Sequence, residues 1–149
     1  MPKILRCNSN NEDFRELIKL LDLDLDQRYG SLQKEYNAFN KIEFIETVVI
    51  AYNEATPIGC GCFKVFDDQS VEMKRVFVRN DYRGIGFASL ILTELESWAK
   101  EKGFLYSMLE TGIKQYEAIN LYKKRGYNEI ENFGQYVGNT NSICMKKVL

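Results

Sequence analysis

The chain has 149 residues, 45% hydrophobic and 28% charged, with a net charge of −1 and no histidine. This is the composition of one globular domain, 1–149, and not of a basic nucleic-acid binder. No apolar run reaches the ~18 residues that cross a bilayer, and MPKILRCNSNNEDF lacks the hydrophobic stretch of a secretory signal. Without histidine, Ser-His-Asp, Cys-His and His-metal chemistry are excluded, and a general base must be a carboxylate, a lysine, a tyrosine or water.

Asn11-Glu12-Asp13 can cap a first helix, in which Phe14, Leu17, Ile18 and Leu21 recur at helical spacing. The LDLDLD run that follows reads as a helix end and turn. A second, weaker helix is expected over Gln27 to Phe39, interrupted by Gly30. Glu43 to Tyr52 is rich in β-formers, Asn53 to Pro57 reads as a turn, and Ile58 to Phe66 completes a hairpin. A further turn leads into a third strand, Val71 to Val78.

Ile85, Ala88, Ile91, Leu92, Leu95, Trp98 and Ala99 form one apolar stripe, which predicts a helix over about 84 to 102, stopped by Gly103. Phe104 to Glu110 reads as a strand and Gln115 to Arg125 as a helix stopped by Gly126. Two last strands are expected over Tyr127 to Phe133 and Ser142 to Val148. The strand-helix-strand unit from 71 to 110 pairs its strands in parallel through a right-handed crossover; the hairpins are antiparallel.

The four cysteines form no CxxC. A zinc site would need Cys60 and Cys62 plus two distant thiols; reduced, packed thiols in a cytoplasmic protein are the plainer expectation, with no metal. Lys74, Arg75, Arg79 and Arg83 lie within ten residues and allow a local basic cluster.

The richest stretch is Arg83-Gly84-Ile85-Gly86-Phe87-Ala88, between the third strand and the periodic helix. Glycines allow a tight turn, and a helix N-terminus offers unpaired N–H groups to an anion. Ser89 replaces the third glycine of a dinucleotide fingerprint, and a P-loop's Gly-Lys-Ser/Thr is absent. From local chemistry, a turn with no ligand and a nucleotide-phosphate site both stay open.

Arg83 to Ala88 resembles the Arg/Gln-x-x-Gly-x-Gly/Ala signature of GCN5-related N-acetyltransferases (GNATs). Lys74 to Val78 is similar to that family's pantetheine-binding strand, and Leu109-Glu110-Thr111-Gly112 to the end of its next strand. Ala118 to Tyr127 resembles its Ala-x-x-Leu-Tyr-x-x-x-Gly-Phe/Tyr element. These motifs cover about residues 70 to 130 in the family's order. The resemblance implies a mixed, mostly antiparallel twisted sheet with helices on both faces and a central parallel pair splayed for acyl-CoA.

It further implies acetyl transfer from acetyl-CoA, a co-substrate, to an amine of a small molecule or an exposed amino group. The diphosphate would lie on Gly84, Ile85, Gly86, Phe87 and Ala88, with Arg83 adding charge. The pantetheine arm would run along Val76, Phe77 and Val78, where an N–H near Val76 would stabilise an oxyanion. Many members have Asn where this chain has Gln115, so that contact is in question.

Tyr122 would be the general acid, since a phenol stays protonated at neutral pH; spacing alone favours a core aromatic on the helix stripe, and the resemblance reverses that. Glu72 is either the base, directly or through water, or the partner of Lys74; a bulge would re-aim it. Glu110 is either catalytic or a partner for N–H groups of the next helix. Tyr29, Phe39, Tyr136 and the Asn139/Asn141 turn are candidates for the acceptor side, and the acidic runs Asp22-Asp24-Asp26 and Glu43/Glu46 hint at a polyamine or aminoglycoside. A homodimer is possible within this family. The rival of a different class is a non-catalytic acyl-CoA-binding or interaction module.

Overall fold

The computed structural model describes residues 2–29 and 43–149. The expected weak helix over 27–39 falls mostly outside the described residues, as does Phe39. In chain order the elements are β1 (Pro2–Cys7), α1 (Glu12–Tyr29), β2 (Thr47–Asn53), β3 (Thr56–Val65), β4 (Ser70–Val78), α2 (Phe87–Glu101), β5 (Tyr106–Gly112), α3 (Tyr116–Lys124), β6 (Asn128–Ile130) and β7 (Ser142–Val148), with 3-10 turns at Asn80–Tyr82 and Gly134–Tyr136. Seven strands form one sheet in the order β1-β2-β3-β4-β5-β7-β6. Only β4 and β5 run parallel among the described strands.

Two apolar layers sandwich the sheet. On one face α1 buries Phe14, Leu17, Ile18 and Leu21 against Val48, Ile50, Cys60, Cys62 and Phe77. On the other, α2 and α3 bury Ile91, Leu92, Leu95, Ala99 and Tyr122 against Val49, Phe63, Val71, Met73, Val78 and Leu109. Asn11 caps α1: its Oδ1 accepts the N–H of Asp13 at 2.8 Å and of Phe14 at 3.3 Å. Among the described residues no helix is long and apolar enough to cross a membrane.

Gly59 and Gly61 of β3 let α2 lie close to the sheet. A Cβ at Gly61 would stand 2.9 Å from Leu95 Cδ1 and 3.0 Å from Ile91 Cγ2, closer than van der Waals contact.

Three sequence expectations change. The N-terminal residues form a strand, β1, in which the adjacent Ile4 and Leu5 give no alternating pattern and so carried too weak a signal. The LDLDLD run does not end a helix; it lies inside α1, where Leu21 is buried, Asp22 reaches Arg75 of β4 and Asp24 reaches Arg83 of the loop before α2. The strand expected over 127–133 covers only Asn128–Ile130.

The site arises where β4 and β5 part. Their ladder runs from Ser70↔Tyr106 to Met73↔Leu109 and stops. Yet β4 stays paired with β3 as far as Val78, and β5 with β7 as far as Gly112. A bulge opens the gap: Cys60 opposes Phe77 and Cys62 opposes Lys74, so Arg75 and Val76 together face Gly61. Arg75 takes φ +56°, and the extra residue bends the strand. It also breaks the period-2 alternation that would put Glu72, Lys74, Val76 and Val78 on one face. Phe77 turns to the α1 layer, whereas Val76 and Val78 join the α2 layer.

Candidate active site

Beyond Met73 and Leu109 the facing edges of β4 and β5 have no ladder partner in each other. A cleft of about 630 Å³ opens there, lined by Val76, Phe77 and Val78, by the loop from Tyr82 to Ser89, and by Gln115, Leu121 and Tyr122 of the α3 region. Of the residues expected to hold a coenzyme, Val76, Phe77, Val78, Arg83, Gly84, Gly86, Phe87, Ala88 and Gln115 all line it; Ile85 points away and is 68% exposed. Leu21 and Asp24 of α1, and Glu117 and Lys124 of α3, also line it. No local motif marks them, because they come from helices that meet the loop only in the fold.

The loop is built as an anion cradle. Gly84 and Gly86 have φ +80° and +98°, and a Cβ on either would meet no protein atom within 4 Å. The glycines are therefore required by backbone conformation and by the open cleft, not by packing. Gly86 is the N-cap of α2, which has no side-chain cap and no acid in its first turn. Its first N–H groups and its positive dipole end are left to the cleft. These features fit a diphosphate.

The predicted basic cluster does not form a patch. Lys74 lies 3.8 Å from Glu72, Arg75 3.9 Å from Asp22, and Arg83 3.8 Å from Asp24, while Arg79 Nε donates to the Pro57 carbonyl at 2.7 Å. The acidic runs are likewise engaged: Asp22 and Asp24 by those arginines, Glu43 by Lys64. These pairs account for Asp22, Asp24 and Glu43 among the charges that hinted at a cationic acceptor.

On the α1 side of the sheet, at the edge of the splay, lies a polar cluster. Glu72 is outside the cleft. Its Oε2 accepts the Tyr136 hydroxyl at 3.2 Å, and Lys74 Nζ donates to that same hydroxyl at 3.4 Å. Tyr136 is 2% exposed and stacks edge-on with Phe133. Lys74 and Glu110 are the first residues past the last β4–β5 pair and share this face. Glu110 does not serve the N-terminus of α3; its Oε2 accepts the Ser142 hydroxyl at 2.6 Å. Burial pushes the Glu110 carboxyl up to about 7, with Glu72 adding to the rise and Ser142 and Lys74 opposing it. The side chain of Tyr29 lies outside the described residues, and Asn139 Oδ1 turns inward to the Asn141 N–H at 2.9 Å.

Tyr122 approaches the gap from the opposite layer and is 6% exposed. Burial, and secondarily the Glu110 charge, hold its phenol well above the ordinary range. Tyr127 fixes it. The Tyr127 N–H donates to the Tyr122 carbonyl at 3.0 Å, and the two rings meet edge-on at 5.8 Å. The Tyr127 hydroxyl lies 2.6 Å from Ser107 Oγ and donates to the buried Glu96 at 3.0 Å.

A mixed sheet splayed at its one parallel pair, with a glycine-rich helix start at the opening, defines a protein that can hold a diphosphate-bearing thioester beside a protonated phenol. The chain belongs to the acetyltransferase (GNAT) family, whose model matches residues 12–127; it is an acetyltransferase. It is 32% identical over 102 residues to an IAA acetyltransferase of Azospirillum brasilense, covering 68% of this chain and 67% of that protein. A proposed acyl-CoA N-acyltransferase from Klebsiella pneumoniae shares the fold with a TM-score of 0.84 at 26% identity, over 100% of this chain and 98% of that one. A GNAT acetyltransferase from Elizabethkingia anophelis, solved with acetyl-CoA bound, has a TM-score of 0.72 at 17% identity, over 99% of this chain and 98% of that one.

Proposed function

We propose that this chain transfers an acetyl group from acetyl-CoA to a primary amine, on a small molecule or an exposed amino group, by direct attack of the amine. The observation that carries this reading is the parting of β4 from β5 beside a loop of left-handed glycines, with Tyr122 lining the cleft and Glu110 the first β5 residue past the shared ladder. The diphosphate would rest on the N–H groups from Gly84 to Ala88, and the pantetheine arm along Val76 to Val78.

An aliphatic amine is mostly protonated at neutral pH, with a pKa near 10. It needs a base to expose its lone pair. A carboxylate poised at about 7 is a far better proton acceptor than one at the ordinary 4.5 and is still substantially ionised. We assign this step to Glu110. Glu72, held by Tyr136 and Lys74, supplies a second negative charge that strengthens the base. When the C–N bond forms and the C–S bond breaks, Tyr122 gives its proton to the departing sulfur, and the second proton, shed by the newly acylated nitrogen, passes through solvent to restore the phenol. Its raised affinity for the proton keeps it in the acid form before that moment. The free thiols of Cys7, Cys60, Cys62 and Cys144 suit a reducing compartment, and we place the reaction in the cytoplasm.

The test is release of CoA thiol across a panel of amines. Wild-type protein should release thiol in an amine-dependent way, and Tyr122→Phe should lower kcat tenfold or more with little change in coenzyme binding. Binding without turnover on any amine would favour the acyl-CoA-binding module instead.

A further inference from the structure

Four charged residues line the cleft: Asp24 and Glu117 against Arg83 and Lys124. Their formal charges cancel, an unexpected lining for a site that is to take a polyanion. Arg83 does not extend freely over the loop's glycines. Its Nε donates to the Val78 carbonyl at 2.8 Å, and its guanidinium lies 5.5 Å from the centre of the Phe77 ring. Its Nη2 is 3.8 Å from Asp24 Oδ2, with the two side chains 30% and 27% exposed. The cation at the head of the phosphate loop is thus already turned toward a carboxylate of α1. Two residues earlier on the same helix, Asp22 takes Arg75, which is 8% exposed and lies outside the cleft lining.

We propose that Asp24 sets the affinity of the phosphate site: it holds Arg83 when no ligand is bound and opposes an incoming diphosphate, so that coenzyme A binds more weakly and leaves sooner than the loop alone would allow. This inference rests on the acetyl-CoA reading above. The reason is electrostatic. A phosphate drawn to Arg83 either displaces Asp24 or shares the guanidinium with a like charge, and both reduce the net attraction. The pantetheine arm carries no charge, so the effect is confined to the phosphate-bearing half of the ligand. Asp22 serves as the comparison, a carboxylate of the same helix and the same kind of pair but away from the cleft.

Calorimetric titration of wild type, Asp24→Asn and Asp22→Asn with CoA and with S-acetylpantetheine, which lacks the phosphates, tests it. Asp24→Asn should tighten CoA by about two- to fivefold, the range that one partly exposed charge pair supplies. S-acetylpantetheine should bind all three proteins alike. The difference between Asp24→Asn and wild type should close at about 1 M salt, where the screening length falls to about 3 Å. CoA should leave Asp24→Asn correspondingly more slowly in stopped-flow displacement. Unchanged or weaker CoA binding by Asp24→Asn overturns the proposal. So does an equal gain for S-acetylpantetheine, or an equal gain from Asp22→Asn. Ligand-free melting of each variant separates these results from loss of fold. A wild-type protein that binds no CoA would instead remove the acetyl-CoA reading, and this inference with it.

Discussion

Glu110 owes its chemistry to position. A glutamate on a solvated surface would be fully ionised at neutral pH, and a weak base. At the first unpaired position of β5, buried and facing Glu72, it holds its proton up to about 7. Two measurements follow. The rate of acetyl transfer should rise with pH through about 7, and Glu110→Gln should lose both the activity and that rise. Stability carries the opposite sign. The folded chain holds this proton more tightly than the unfolded one, whose carboxyl titrates near 4.5. The stabilisation is complete below about 4.5 and is lost as pH rises through about 7. Glu110→Gln, which needs no ionisation, should therefore gain on wild type by roughly 3 kcal/mol between about pH 4 and about pH 9 in denaturant titrations. A gain that is flat with pH would show that the carboxyl is not held this way. At the same scale Tyr122 is legible from its motif and its burial from helix spacing, but its contact with Tyr127 is not.

The elements place these residues through two departures from regularity. The bulge at Arg75 ends the β4–β5 ladder and turns Phe77 toward α1, and the glycines of β3 bring α2 down onto the sheet. Nothing in the residue types marks Arg75 as a bulge, because its left-handed φ is imposed by the pairing of β3 with β4 on either side. Gly59 and Gly61 read in sequence only as strand weakeners, and their role appears once Ile91 and Leu95 lie over them. Gly61→Val should cost about 1–3 kcal/mol from overpacking. Because α2 carries the phosphate cradle at its N-terminus, the same change should weaken CoA binding. Chemical denaturation and titration on one preparation read both. The regular elements were much easier: α2, α3 and β7 follow from apolar periodicity and glycine stops to within a few residues.

At the scale of the molecule, the cleft belongs to no single segment. Its walls come from α1, β4, the loop before α2, and α3, so a ligand that fills it ties together both layers of the sandwich. CoA at about 100 times its Kd should raise stability by about 2.7 kcal/mol, which for a chain of this size is a melting shift of roughly 5–10 °C. ATP at the same concentration should raise it less, because it offers phosphates but no arm for the β4 edge. Equal shifts would identify the site as a general nucleotide-phosphate binder.

The tight glycine turn and the apolar helix stripes were legible locally, because each depends on neighbours within a turn or a strand; the ligand of that turn and the role of Tyr122 were expected only from the family resemblance. Charge partners were a different matter. Asp22 with Arg75, Asp24 with Arg83, Ser142 with Glu110 and Tyr136 with Glu72 join residues 32 to 64 positions apart, more than 50 in three of the four cases. Ionic and hydrogen-bond pairing has no period along a chain. It is decided by which strands lie side by side, and so the acid–base character of the site emerged only when the sheet had closed around it.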